Sequence, residues 1–177
     1  MALMNKKRLF YGVFLTALLC ITAFKACTIS YSFTGTSIDY TRIRTVSIAD
    51  FPNMAEFVYS PLSNMFSEAL RDKFLRQTRL EVIRADGDLD LQGEITGYEM
   101  MPLSIGPDAL AAQTRLTLTI NVRFTNRVNP EEDFEKRYSA FQVFDANQLL
   151  SDVQDTLLDL MIEEIADQIF NDTVARW

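Results

Sequence analysis

No histidine occurs anywhere in the 177 residues, which removes the commonest general base and the commonest zinc ligand. Cysteine is nearly absent too. The two present are Cys20 and Cys27, so the chain after Cys27 has no thiol for a disulfide, a Cys-His pair or a thiolate metal site. Six glycines are scattered, and they form neither a phosphate-cradling loop nor a Gly-x-Ser-x-Gly turn. The acidic run Glu131-Glu132-Asp133 follows Pro130 and lacks the alternating ligands of a calcium loop, so it reads as a solvated turn. The acids along Asp152–Asp167 read as a solvated helix face. The sequence therefore offers no nucleophile, metal site or cofactor site, and the expectation is a protein that is not an enzyme and holds no cofactor.

Long apolar runs are scarce as well. The one sustained stretch, Leu9 to Phe24, follows Lys6, Lys7 and Arg8. It is shorter than the roughly 20 residues that span a bilayer, and Lys25 closes it. A charged tip, a short apolar region and a small residue before a cut form a signal peptide. Ala26 suits the position before the cut, although Phe24 and Lys25 are bulkier and more charged than a strict lipobox prefers. Cys20, preceded by Leu18 and Leu19, is the poorer candidate. A cut at 26 makes Cys27 the first mature residue and the site of acylation. Each buried methylene contributes about 0.8 kcal/mol, so several chains anchor firmly.

Removal of residues 1–26 takes four of the 17 basic residues and none of the 24 acidic ones, leaving a net charge of −11. Such a chain has no bulk attraction to nucleic acid or to anionic lipid surfaces. The expected organisation is a signal peptide over 1–26, a lipidated spacer over 27–37 and a single domain over 38–177.

Along that domain, 38–51 reads as a strand with Val46 and Ile48 on one face. Ser60 and Pro61 read as N-cap and first turn of a helix. Its apolar stripe is Leu62, Met65, Phe66, Ala69, Leu70 and Phe74, ending near Gln77. A short apolar strand, 80–83, and an Asp86-Gly87 turn follow. From Asp88 the period is two, with Leu89, Leu91, Gly93, Ile95 and Gly97 on one face and Tyr98 on the other. Residues 101–113 read as a loop. Leu116, Leu118, Ile120, Val122 and Phe124 then alternate with polar residues. In the following strand, 134–144, the phase slips between Tyr138 and Phe141, as at a bulge. Asp145 and Gln148 form a capping-box pattern for a second helix. Its inward stripe is Val153, Leu157, Leu160, Met161, Ile165 and Ile169, ending near Thr173. The fold class is α+β: a two-layer sandwich with two helices on one face of a mostly antiparallel four-stranded sheet. The first helix serves as a crossover between parallel strands.

The face opposite that core is the informative one. Arg115, Thr117, Thr119, Asn121, Arg123, Thr125 and Arg127 form a polar ribbon roughly 40 Å long at about 3.3 Å per residue. Arg115, Arg123 and Arg127 suit phosphate or carboxylate capture. The competing reading is an ordinary solvated face whose arginines are neutralised across strands by Asp90, Glu94 or Glu135.

Taken in order, several stretches resemble the Bacteroidetes-type branch of the LPS-assembly lipoprotein family, LptE. They are 32–38, Val46-Ser47-Ile48 running into Phe51-Pro52-Asn53, Gly93 to Tyr98, Leu116 to Phe124, and Ile169-Phe170-Asn171 to Trp177. The resemblance implies two helices on a four-stranded sheet and no enzymatic activity. It implies a lipoprotein that plugs and helps assemble the outer-membrane β-barrel LptD and contacts lipopolysaccharide, with Cys27 acylated. Surface-exported lipoproteins of these bacteria usually carry acids just after the Cys. Residues 28–32 have none, so the expected anchor faces the periplasm. The alternative is an outer-membrane lipoprotein that binds a soluble periplasmic ligand or regulates an envelope enzyme.

Overall fold

In a computed structural model of the chain, described over residues 38–103 and 112–175, an interior strand of the sheet is only four residues long. This strand, β1 (Thr45–Ile48), is flanked by two parallel neighbours. One is β2 (Glu81–Ile83), reached through helix α1 (Leu62–Gln77), and the other is β3 (Leu89–Leu103). The sheet continues antiparallel through β4 (Gln113–Asn126) and β5 (Phe134–Asp145), giving the order β2-β1-β3-β4-β5. Helix α2 (Leu150–Thr173) closes the fold. The α+β class and both helices match the sequence expectation. The strand count does not: the sheet is five-stranded and mixed, because α1 returns the chain alongside β1 and adds β2 as an edge.

Both helices bury an apolar stripe against one sheet face. Leu62, Phe66, Leu70 and Phe74 of α1 are fully buried, as are Leu158, Met161, Ile165 and Ile169 of α2. Phe74 and Phe170 meet edge-on at 5.4 Å between the helices, and Phe51 meets Phe66 likewise at 5.0 Å. Across the sheet, Leu116, Leu118, Ile120, Val122 and Phe124 supply the facing layer. Leu160, expected inward, is 48% exposed, and Leu158 and Ile162 take its place. The helix therefore presents a slightly rotated stripe.

Four local expectations are corrected. The strand expected over 38–51 is confined to Thr45–Ile48, because Asp39 accepts from Thr41 N–H and Thr41 Oγ1 and turns the chain first. Ser60 does not cap α1; Pro61 is the boundary residue, with no side-chain cap. Asp145 does not cap α2 either, since its carboxylate accepts from Asn147 N–H and Nδ2, and the helix starts after Leu149. The loop expected over 101–113 is shorter, as β3 runs through Pro102 to Leu103.

The most consequential difference concerns phase. The pairing of β4 with β5 is unbroken from Gln113↔Asp145 to Phe124↔Phe134, so β5 has no bulge, and Phe141 faces away from the core at 53% exposure. The irregularity lies in β3, where Ile95 pairs with Ile120 and Gly97 with Thr119, leaving Thr96 as the extra residue. Past that bulge the faces exchange. Tyr98 turns into the core and is buried, and its hydroxyl accepts a bond of 2.8 Å from Gln154 Nε2 of α2. Desolvation is the main reason its pKa is pushed up to about 12.

At the start of β3, a cleft is lined by Ile38, Arg42, Leu89, Asn126, Val128 and Thr173. It brings the first described residue next to the last turn of α2. Asn126 is buried there and organises the β4–β5 turn: its Oδ1 accepts from the N–H groups of Val128 and Asn129, and its Nδ2 donates to Glu132.

Candidate functional site

The open face of the sheet is built by the residues of β4 that alternate with its core positions, extended by their neighbours on β3 and β5. The geometry of the three arginines divides them. Arg123 is paired across strands with Glu135 at 3.2 Å, and Asn121 Nδ2 donates to the same carboxylate at 2.8 Å. The Asn121 bond, then the Arg123 guanidinium, holds Glu135 below the usual carboxylate range. Arg127 lies one residue past the end of β4 and is paired with Asp86 at 2.8 Å. Both arginines are neutralised, one by a cross-strand acid expected from the sequence and one by an acid of a distant turn.

Arg115 differs. Among the described residues it has no carboxylate partner, and its Nε is buried without a hydrogen-bond acceptor. The guanidinium lies 4.6 Å from the centroid of the Phe141 ring, a stacking that Arg favours on aromatic faces. Register places Met101 and Val143 directly opposite Arg115 on its two sides. Both are exposed, at 59% and 37%. One end of the open face is thus a cation set in an apolar frame of Met101, Phe141 and Val143, and the other end is a polar lattice of ion pairs. Arg115 was legible as an outward guanidinium. Phe141 and Met101 were not, because an aromatic was assigned to the core and a Met beside Pro102 to a loop.

A second apolar group lies at the same end of β3, on the helix side. The segment 53–59 is tied to the sheet by a bridge between Asn53 and Ile95 and to α2 by a 2.8 Å bond from Tyr59 hydroxyl to Asp155. Phe57 packs on Tyr98 at 5.4 Å, while Met54, Phe57 and Val58 remain exposed. A surface groove between α1 and α2 is lined by Met65, Lys73, Arg76, Asp159 and Ile162.

Among the described residues no group of three acidic, His or Cys side chains is arranged to hold a metal ion. No described helix is long and apolar enough to cross a membrane. Cys27 and the signal-peptide region lie outside the described residues.

The LptE family, described as lipopolysaccharide-assembly, matches residues 43–173. That span takes in every strand and both helices except the two ends of the domain. The chain belongs to the LptE family. Family membership makes it a lipopolysaccharide-assembly lipoprotein of the outer membrane, in a family that is not one of enzymes. Among curated proteins, none matches the sequence. Solved structures similar to this chain include a minor lipoprotein from Acinetobacter baumannii, 12% identical over 72% of this chain and 89% of that one, with a TM-score of 0.49. The rare lipoprotein B from Shewanella oneidensis is 13% identical over 72% and 92%, with a TM-score of 0.48. A PelC dodecamer from Paraburkholderia phytofirmans is 12% identical over 76% and 91%, with a TM-score of 0.45.

Proposed function

We propose that this LptE-family protein is the lipid-anchored partner of an LptD-type outer-membrane β-barrel. In this reading it sits in the barrel lumen as a plug, assists barrel assembly, and meets lipopolysaccharide on its way to the outer leaflet. The observation that carries it is the family match over residues 43–173. Acylated Cys27 is the tether, facing the periplasm, with 28–37 as spacer. The open face of β3, β4 and β5 supplies a rigid surface that the helices leave uncovered. Lipopolysaccharide is an amphiphile with phosphates, and Arg115, Arg123 and Arg127 are its contacts. Arg115 is the strongest of these, because no carboxylate among the described residues pairs with it and it lies beside apolar side chains, whereas the other two must first give up Glu135 and Asp86.

The deciding experiment is purification of the full chain in mild detergent. An outer-membrane β-barrel recovered in about equal amount is the expected result. A chain that purifies alone, or with a soluble periplasmic enzyme, overturns the reading in favour of a ligand-binding or regulatory lipoprotein. Reversing the charge of all three arginines should weaken lipopolysaccharide binding and leave circular dichroism unchanged, with Arg115→Glu alone giving most of the loss. Unchanged binding in the triple variant removes the arginine assignment without touching the barrel partnership.

A further inference from the structure

The sheet ends in two unequal edges. β2 offers three residues, whereas β5 offers twelve and has no strand beyond it among the described residues. Proteins usually blunt a long edge with charges, proline or a bulge. β5 does so in Glu135-Lys136-Arg137 and then stops. Ser139-Ala140-Phe141-Gln142-Val143-Phe144 has no charge, proline or glycine and pairs with β4 without a bulge.

Ala146 N–H donates to Ala112 C=O at 2.9 Å, in register with the β4–β5 ladder. In an antiparallel pair, residues that hydrogen-bond to the partner alternate with residues that do not. Even-numbered residues of β5 therefore turn their backbone groups to β4, and Ser139, Phe141 and Val143 turn theirs outward. On the open face, the side chains of these three lie between Arg137 and Asp145, so the row ends in opposite charges. Arg137 makes no ion pair among the described residues. Asp145 engages Asn147 through Oδ1 alone.

We propose that this edge takes an extended segment of the partner barrel, folded into the lumen and added antiparallel to β5 as a sixth strand. Adding a strand to an exposed edge is a general mode of peptide recognition. Charge complementarity sets the chemistry of the segment. It carries a base opposite Asp145, apolar residues opposite Val143 and Phe141, a small residue opposite Ser139 and an acid opposite Arg137. Its apolar pair extends the frame in which Phe141 stacks on Arg115. A closed barrel wall has no free strand edge to give. Outer-membrane barrels do carry long extracellular loops, and in some of them loops fill the lumen. A loop is therefore the donor that fits. Naming the barrel as donor rests on the partnership proposed above, whereas the preference for such a strand rests on the edge alone.

Two measurements test the edge and the donor separately. For the edge, the full chain is overproduced beyond the supply of barrel, and its barrel-free fraction is titrated with a peptide. The probe is Lys-Thr-Val-Thr-Val-Thr-Ser-Thr-Glu, blocked at both ends and fluorescent. Saturable binding is expected, and exchanging the two charged ends should weaken it about tenfold. Val143→Pro should also weaken it about tenfold, because proline removes one outward N–H, and the variant should still melt cooperatively. Gln142→Pro removes a bond to β4 and should instead lower the melting temperature. No binding, equal binding with the ends exchanged, or binding untouched by Val143→Pro in folded protein overturns the edge. For the donor, p-benzoylphenylalanine replaces Phe141 in the complex purified with its barrel. Light should link it to the barrel polypeptide at a loop. Linkage to a wall strand, or none, overturns the donor while the co-purified barrel stands. A chain that purifies without a barrel removes the partnership and the donor together, and the peptide titration still decides the edge.

Discussion

Asp88 shows how much one carboxylate does in this fold. Sitting where the turn enters β3, it accepts from the N–H groups of Arg44 and Thr45 and from Thr45 Oγ1, and its own N–H donates to Thr45 Oγ1. The Arg44 N–H, above all, holds its pKa below the ordinary 3.8. A depressed carboxylate stabilises the fold above the unfolded-state pKa, and that contribution is lost as pH falls through the folded value. Asp88→Asn should lower urea stability at neutral pH, and the gap from the parent should shrink below about pH 4. A gap constant from pH 7 to pH 2 would contradict the assignment. Gly93 carries a different demand: a Cβ there would stand 2.6 Å from Phe51 Cε1 and press on the Asn121 carbonyl. Gly93→Ala should destabilise by roughly 1–3 kcal/mol through overpacking, measured by chemical denaturation. The Asp86-Gly87 turn was legible in the sequence. That Asp86, at φ 59°, is the residue in the left-handed region was not, since Asp tolerates it nearly as Asn does.

At the scale of elements, legibility followed the continuity of pattern. β4 was readable end to end because five apolar residues alternate without a break, and each is buried. β3 was readable only as far as Ile95. Thr96 suits either face, so nothing in its identity marks the bulge, and Tyr98 was assigned to solvent when the core claims it. β5 misled in the opposite sense: Phe141 invites a core assignment, and forcing it inward required a slip that the ladder does not contain. Caps failed where a side chain found a nearer donor, as Asp145 did in Asn147. Of the arginine partners, Glu135 could be anticipated from the hairpin between β4 and β5. Asp86 could not, being 41 residues from Arg127 in sequence. Helix α2 gives a paired check on its true inward stripe. Ile165→Ala should cost about 2–5 kcal/mol as a core truncation, whereas Leu160→Ser should stay within about 0.5 kcal/mol. Thermal denaturation of the two variants distinguishes this stripe from the one with Leu160 inward.

For the whole molecule, the proposed anchoring turns on Cys27. Cys27→Ser should yield a protein that fractionates away from the outer membrane, and mass spectrometry of the parent should find an acylated N-terminus at residue 27. A processed, membrane-held Ser variant would remove the tether from the account. The cleft shared by Ile38 and Thr173 has a further consequence. The first described residue and the end of α2 are neighbours, so the order in which the elements are threaded is a matter of covalent convenience. A short glycine-serine bridge could join them, with new ends opened at the exposed Asn147-Gln148 turn. The rearranged polypeptide would then start with α2 and finish with β5, yet keep the order β2-β1-β3-β4-β5. Its cooperative melting and unchanged circular dichroism would show that this architecture is specified by its contacts and is indifferent to its starting point.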